Sequence, residues 1–133
     1  MKCFSRVLLL ISLLLSGCTA KHTEVTQEEV IAAYESAGYV VWSHTYDAEM
    51  DSGIIAYVQA DDPDGDYIHF AFFKNEEDAK DYKKDLDHPV MKGLFSIIYG
   101  DPMWERMETY GSIVVTYWEP EFFKPFEELL ESK

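Results

Sequence analysis

The chain has 133 residues, which suits one domain of ordinary size. It carries 25 acidic residues against 11 basic ones, a net charge of -14, and this excess repels phosphate groups, which argues against nucleic acid as a partner. Both cysteines, Cys3 and Cys18, lie within the first 18 residues, so the rest of the chain has no disulfide, no thiol nucleophile and no cysteine metal site.

The N-terminal segment has the order of a secretory signal: a basic start, an aliphatic stretch over residues 7–15 and small residues after it. The aliphatic stretch is too short to span a bilayer, which needs about 20 apolar residues. The four residues at its end resemble the lipobox of bacterial lipoproteins, and they read Leu15-Ser16-Gly17-Cys18. The resemblance implies that residues 1–17 are a cleaved signal peptide.

The same resemblance implies that the thiol of Cys18 takes a diacylglycerol. Two acyl chains anchor a protein stably, where one anchors only marginally. We therefore expect a domain held at the extracytoplasmic face of the cell membrane, with residues 18–25 as lipidated cysteine and tether and residues 26–133 as a single domain. Loss of Lys2 and Arg6 with the signal leaves 9 basic and 25 acidic residues, a net charge of -16. The alternative is an ordinary secreted protein.

A helix is predicted over residues 25–38. Thr26 and Glu29 have the spacing of a capping box, in which each side chain accepts a backbone N–H of the other residue. Val25 and Val30 stand where a hydrophobic staple stands. Gly38 is the expected stop, because glycine enters the left-handed region freely.

Three strands are predicted next, because β-branched and aromatic residues dominate residues 39–46, 54–60 and 67–73. The short turn-rich loops between them favour an antiparallel meander.

Two helices follow these strands, one capped by Asn75 and a short one over residues 90–99. A hairpin around Gly111 and a helix over residues 120–131 complete the chain. The order αβββααββα predicts an α+β fold, with a single antiparallel sheet of about five strands and helices mainly on one face.

Strand alternation separates two faces of this sheet. Ile68, Phe70 and Phe72 share one side of the third strand and are the expected core, since they are costly to leave in water. The other face then carries rings and polar tips from three strands: Trp42, His44, Tyr46, Tyr57, Gln59, Tyr67 and His69. Such side chains suit the binding of sugars, peptides or a partner protein. The alternative is that the last helix or a dimer partner covers this face.

Other kinds of site find less support. The acidic segment 61–66 would need acids at both ends of a calcium loop, where Ala60 and Ala71 stand, so a hairpin turn is predicted instead. His44 and His69 should lie two strands apart, roughly 10 Å, too far to share one ion. No metal site, catalytic residue or cofactor is predicted.

These observations favour a non-enzymatic, membrane-anchored binding or accessory module whose partner is an envelope protein, peptide or glycan. The alternatives are a small envelope hydrolase using acidic residues and an acidic inhibitor or immunity-type protein. A deep pocket with two convergent carboxylates would favour the hydrolase, and a flat exposed aromatic face would favour binding. The mature sequence is similar in size and style to small Gram-positive lipoproteins of unknown function, without a motif that names a family.

Overall fold

The computed structural model describes residues 24–47, 53–99 and 106–133. The predicted signal peptide, Cys18 and most of the tether lie outside these residues. Within the described ranges the elements follow the predicted order αβββααββα. They are α1 (Gln27–Ser36), β1 (Val40–Thr45), β2 (Ile54–Asp61), β3 (Tyr67–Phe73), α2 (Glu76–Leu86), α3 (Pro89–Tyr99), β4 (Arg106–Tyr110), β5 (Ile113–Tyr117) and α4 (Pro120–Glu131).

Both ends of α1 are closed by the signals that the sequence carries. The backbone N–H of Glu29 donates to Thr26 Oγ1 at 3.3 Å, and the N–H of Thr26 donates to Glu29 Oε2 at 2.9 Å, which confirms the capping box. At the other end Gly38 has φ +91°. The N–H of Tyr39 then donates to the carbonyl of Tyr34 at 3.0 Å, which satisfies a carbonyl of the last turn.

All strands pair antiparallel in one sheet of order β1-β2-β3-β5-β4. The first three strands form the predicted meander. The hairpin of β4 and β5 joins β3 through its second strand, so β5 is internal and β4 lies at an edge. The other edge is β1.

The main core lies on the face of the sheet that bears Ile68, Phe70 and Phe72, which we call the helix face. Their side chains are buried, as predicted. Helices α1 and α4 cover this face. Tyr34 of α1 and Phe126 of α4 both pack against Phe70, with ring centroids 5.2 and 5.1 Å away.

A smaller core lies on the opposite face, where α2 packs against β3, β5 and β4. Ala79 of α2 is fully buried there and shares a cluster with Phe73 and Val114. This placement departs from the expectation that the helices would keep mainly to the helix face. The part of this face formed by β1, β2 and the start of β3 is covered by no described helix.

Helix α3, predicted from its apolar spacing, packs mainly on α2. Several of its large apolar side chains remain in water, and Ile97 is 84% exposed. Its 11 residues fall short of a bilayer span, and no helix in the described ranges is both long and apolar enough to cross a membrane.

Candidate functional site

The uncovered part of the sheet carries the side chains that alternation places there. Pairing of β1, β2 and β3 sets Trp42 opposite Gln59, and Gln59 opposite His69. In the next row His44 stands opposite Tyr57. Directly opposed residues point to the same side of a sheet, so these side chains share one surface.

The two remaining predicted residues flank these rows. Tyr67 stacks on His69 with centroids 4.6 Å apart, and Tyr46 meets His44 edge-on at 4.7 Å. The structure therefore brings the predicted set to one side of the sheet. We call this surface the aromatic face; its residues are Trp42, His44, Tyr46, Tyr57, Gln59, Asp61, Tyr67 and His69.

A hydrogen-bonded network links five of these side chains. Trp42 Nε1 donates to Asp61 Oδ2 at 3.0 Å, and Gln59 Nε2 donates to Asp61 Oδ1 at 2.5 Å. Gln59 Oε1 lies 2.9 Å from His69 Nε2 and 3.4 Å from the hydroxyl of Tyr57. The polar atoms of the network are thus largely committed to one another. The indole of Trp42 is held at its edge by this bond, yet it is 62% exposed.

The interior of the network is electrically neutral. His69 lies between Tyr67 and Tyr57, and this burial lowers the pKa of His69 to about 4. The carboxylate of Asp61 raises the pKa of His69, but by less than burial lowers it. Burial likewise raises the pKa of Tyr57 to about 12. At neutral pH the rings of His69 and Tyr57 are therefore both uncharged.

Sequence reasoning missed Asp61 as a member of this face, because it assigned the residue to the acidic turn. In the structure Asp61 is the last residue of β2 and lies opposite Val40 and Tyr67. The signal was present: the two-residue alternation of Tyr57 and Gln59 continues to position 61.

The remaining acidic segment is a hairpin turn, as predicted. Asp62 Oδ1 accepts the backbone N–H groups of Asp64 and Asp66, each at 2.9 Å, and Gly65 has φ +90°. These carboxylate–backbone bonds are typical of an Asx turn. His44 and His69 lie on strands separated by β2 and in different rows. Among the described residues no three His, Cys, Asp or Glu side chains are grouped so as to hold a metal ion.

A cleft of about 500 Å³ lies elsewhere in the described ranges, and two carboxylates line it. Ser112 Oγ donates to Glu24 Oε1 at 3.2 Å, and Glu76 contributes from the start of α2. No histidine stands among the described lining residues, so no imidazole base is at hand to activate the serine. Among the described residues, the cleft thus pairs its serine with a carboxylate and not with a histidine.

The alternative in which the last helix covers the aromatic face is wrong. Helix α4 lies on the helix face, where Phe122 and Phe126 are buried, because its apolar stripe matches the phenylalanine side of β3. The molecule is thus an α+β protein in which no described helix covers part of one sheet face. Comparison with protein-family models, curated proteins and solved structures finds no match for this chain.

Proposed function

We propose that this chain is a non-enzymatic binding or accessory module, anchored to the extracytoplasmic face of the membrane through lipid on Cys18. In this proposal the aromatic face captures a component of the cell envelope. The short tether of residues 18–25 would keep the domain close to the membrane surface. The excess of acidic residues would disfavour nucleic acid and anionic headgroups as partners.

One observation carries this proposal: the side chain of Trp42 is both held in place and exposed. Its N–H is tied to Asp61 at 3.0 Å, while 62% of its surface is in contact with water. A large ring with a fixed orientation loses little conformational entropy when a ligand covers it. Tryptophan also leads the residue types that contribute most to binding at protein interfaces.

The proposal is tested by capture from the native envelope with the full chain and with Trp42→Ala. We expect a component that the unaltered chain retains and the variant releases. Ile97→Ala serves as the matched control. Ile97 is 84% exposed on α3, so this substitution also removes exposed apolar surface, but away from the aromatic face. Loss of capture in Trp42→Ala alone supports the proposal. Equal loss in both variants, or capture unchanged by Trp42→Ala, contradicts it.

A further inference from the structure

Strand β1 leaves its outer edge unpaired by any strand that the structure describes. The N–H of Tyr46 donates to the carbonyl of Ile55 at 2.9 Å, one position beyond the last ladder pair, Thr45 and Ala56. Hydrogen-bonded and non-hydrogen-bonded pairs alternate along an antiparallel ladder. Tyr46, His44 and Trp42 therefore turn their backbone groups towards β2. The backbone N–H and C=O groups of the residues between them, Ser43 above all, point to the outer edge.

The sequence of β1 carries none of the residues that usually protect an edge strand against strand addition. Natural edge strands are commonly blunted by lysine, proline, a bulge or another inward charge. The sequence of β1, Val-Val-Trp-Ser-His-Thr, contains no lysine, arginine or proline, and its register with β2 is unbroken. Val40 is 60% exposed beside Trp42. The opposite edge differs, because β4 carries Arg106 and Glu108.

The segment that forms this edge carries charge of one sign, although Lys133 from the C-terminus pairs with Glu29 of α1. Residues 22–73, which span α1 and the whole of β1, β2 and β3, contain 11 acidic residues and no lysine or arginine. A field of this kind steers a cationic partner towards the surface and repels an anionic one.

Strand geometry says where a partner's cation would lie. Because the backbone of Trp42 bonds inward, a residue added opposite Trp42 in antiparallel pairing forms a non-hydrogen-bonded pair, in which side chains approach most closely. A lysine or arginine there meets the exposed indole face, where a cation is attracted by the ring. The carboxylate of Asp61, bonded to the indole edge, lies on the same face.

The same contacts disfavour a sugar. Saccharide hydroxyls need free donors and acceptors, whereas Gln59, Asp61 and His69 already bond to one another. What the aromatic face offers outward is an indole ring, a negative charge and an unpaired strand edge. This combination fits an extended, positively charged polypeptide.

We infer that the ligand of the aromatic face is an extended basic segment of a partner protein, which pairs with β1 and places a lysine or arginine opposite Trp42. The inference rests on the proposed function and names its partner class.

The probe is a ten-residue peptide in which threonine alternates with lysine, titrated against the full chain in detergent and followed by tryptophan fluorescence or calorimetry. A peptide with glutamate in place of lysine tests charge. Two N-methylated forms test strand pairing. When lysine stands opposite Trp42, the threonine N–H groups of the peptide point towards β1 and the lysine N–H groups point away from it. Methylation of the threonine amides therefore blocks pairing with β1. Methylation of the lysine amides blocks only the outer edge of the peptide.

We expect the lysine peptide to bind, the glutamate peptide to fail, and threonine N-methylation to weaken binding at least tenfold while lysine N-methylation leaves it unchanged. Trp42→Ala should weaken binding roughly tenfold. Ser43→Pro, which removes an outward N–H, should abolish binding, whereas Ser43→Ala should not. Raising the ionic strength should weaken binding, since exposed charges are screened by salt.

Equal binding of both N-methylated peptides would overturn strand pairing, because charge alone would then explain the affinity. Binding of the glutamate peptide, or no binding of the lysine peptide, would overturn the inference. So would binding of an uncharged oligosaccharide that depends on Trp42. In the last case, or if Trp42 is needed for capture from the envelope while the peptides fail, the proposed function would still stand.

Discussion

The hydroxyl of Tyr34 donates to the backbone carbonyl of Phe122 at 2.7 Å, and this bond joins the first helix of the domain to the last. Tyr34 is fully buried, and burial raises the pKa of its hydroxyl far above the usual value. The two helices also meet through apolar contacts above β3. The buried bond fixes one point of contact between α1 and α4, and Lys133 Nζ, just after α4, donates to Glu29 Oε1 of α1.

Tyr34→Phe removes that bond without removing the ring. We expect the free energy of unfolding to fall by about 1 kcal/mol, the usual net contribution of a buried hydrogen bond. Urea denaturation measures the change. Tyr110→Phe is the matched control, since its hydroxyl donates to Glu108 at 2.7 Å in an exposed bond and its loss should cost less. An equal effect in both variants would show that burial of the Tyr34 bond is unimportant.

Trp42 and Phe70 should differ sharply in their effect on stability. Phe70 is fully buried on the helix face, so Phe70→Ala is expected to cost about 3 to 5 kcal/mol. Trp42 is 62% exposed and loses mainly the bond to Asp61, so Trp42→Ala is expected to cost less than about 1 kcal/mol. Thermal and urea melts compare them. If the two changes destabilise equally, Trp42 belongs to the core and the aromatic face is not available for binding.

The stability of the fold should depend on pH through His69. Burial lowers the folded-state pKa of His69 to about 4 from an ordinary value of 6.5, so between these values the unfolded chain binds the extra proton. The contribution of His69 to stability is therefore fully present above pH 6.5 and is lost as the pH falls towards 4, by about 3 kcal/mol in all.

His69→Gln is the control for this effect, because glutamine does not titrate. The carboxylates contribute equally to the pH dependence of stability in both proteins. The difference in unfolding free energy between the two proteins should narrow as the pH falls from 7 to 4. A difference that stays constant over this range would mean that His69 is not buried as a neutral ring.

Gly53 should tolerate a side chain less well than Gly65. Both have positive φ, +76° and +90°, so alanine is strained at each by about 1 kcal/mol. A Cβ at position 53 would also lie 2.7 Å from Asp78 Oδ2 and 2.9 Å from its Cγ, whereas position 65 is open. Asp78 accepts a bond from Asn75 Nδ2 at 3.0 Å at the start of α2, so moving it disturbs that end of the helix.

We therefore expect Gly53→Ala to lower the unfolding free energy by about 2 to 3 kcal/mol and Gly65→Ala by about 1 kcal/mol. Gly53→Ala should cost less unfolding free energy in an Asp78→Ala background than in the unaltered chain, because the carboxylate that the new Cβ would meet is then absent. Equal losses at the two glycines, measured by urea denaturation, would contradict the close approach of Gly53 to α2.

Lipidation of Cys18 is a prediction from sequence. Mass spectrometry of the mature protein from membranes should show a diacylglyceryl adduct on an N-terminal cysteine. A Cys18→Ala precursor should not be processed by the lipoprotein route and should lose its anchor. Normal cleavage and anchoring of this variant would refute the membrane part of the proposed function.

The secondary structure could be predicted from sequence because its signals act over a few residues. The two residues of the capping box, Thr26 and Glu29, are three positions apart, and Gly38 ends its helix through its own backbone freedom. Alternation likewise separates Phe70 from His69 within one strand, whatever packs above them. Local sequence alone therefore predicts which side chains share each face of the sheet.

Tertiary structure decided which parts of those faces meet water. Three features depend on contacts between residues distant in sequence. They are the insertion of β5 between β3 and β4, the packing of α2 on Phe73 and Val114, and the packing of α4 on the helix face. The bond from Trp42 to Asp61 also needs the β1–β2 register, because the two residues are 19 positions apart. Local propensity carries no information about such pairings, since they are set by the total apolar area that the chain can bury at once.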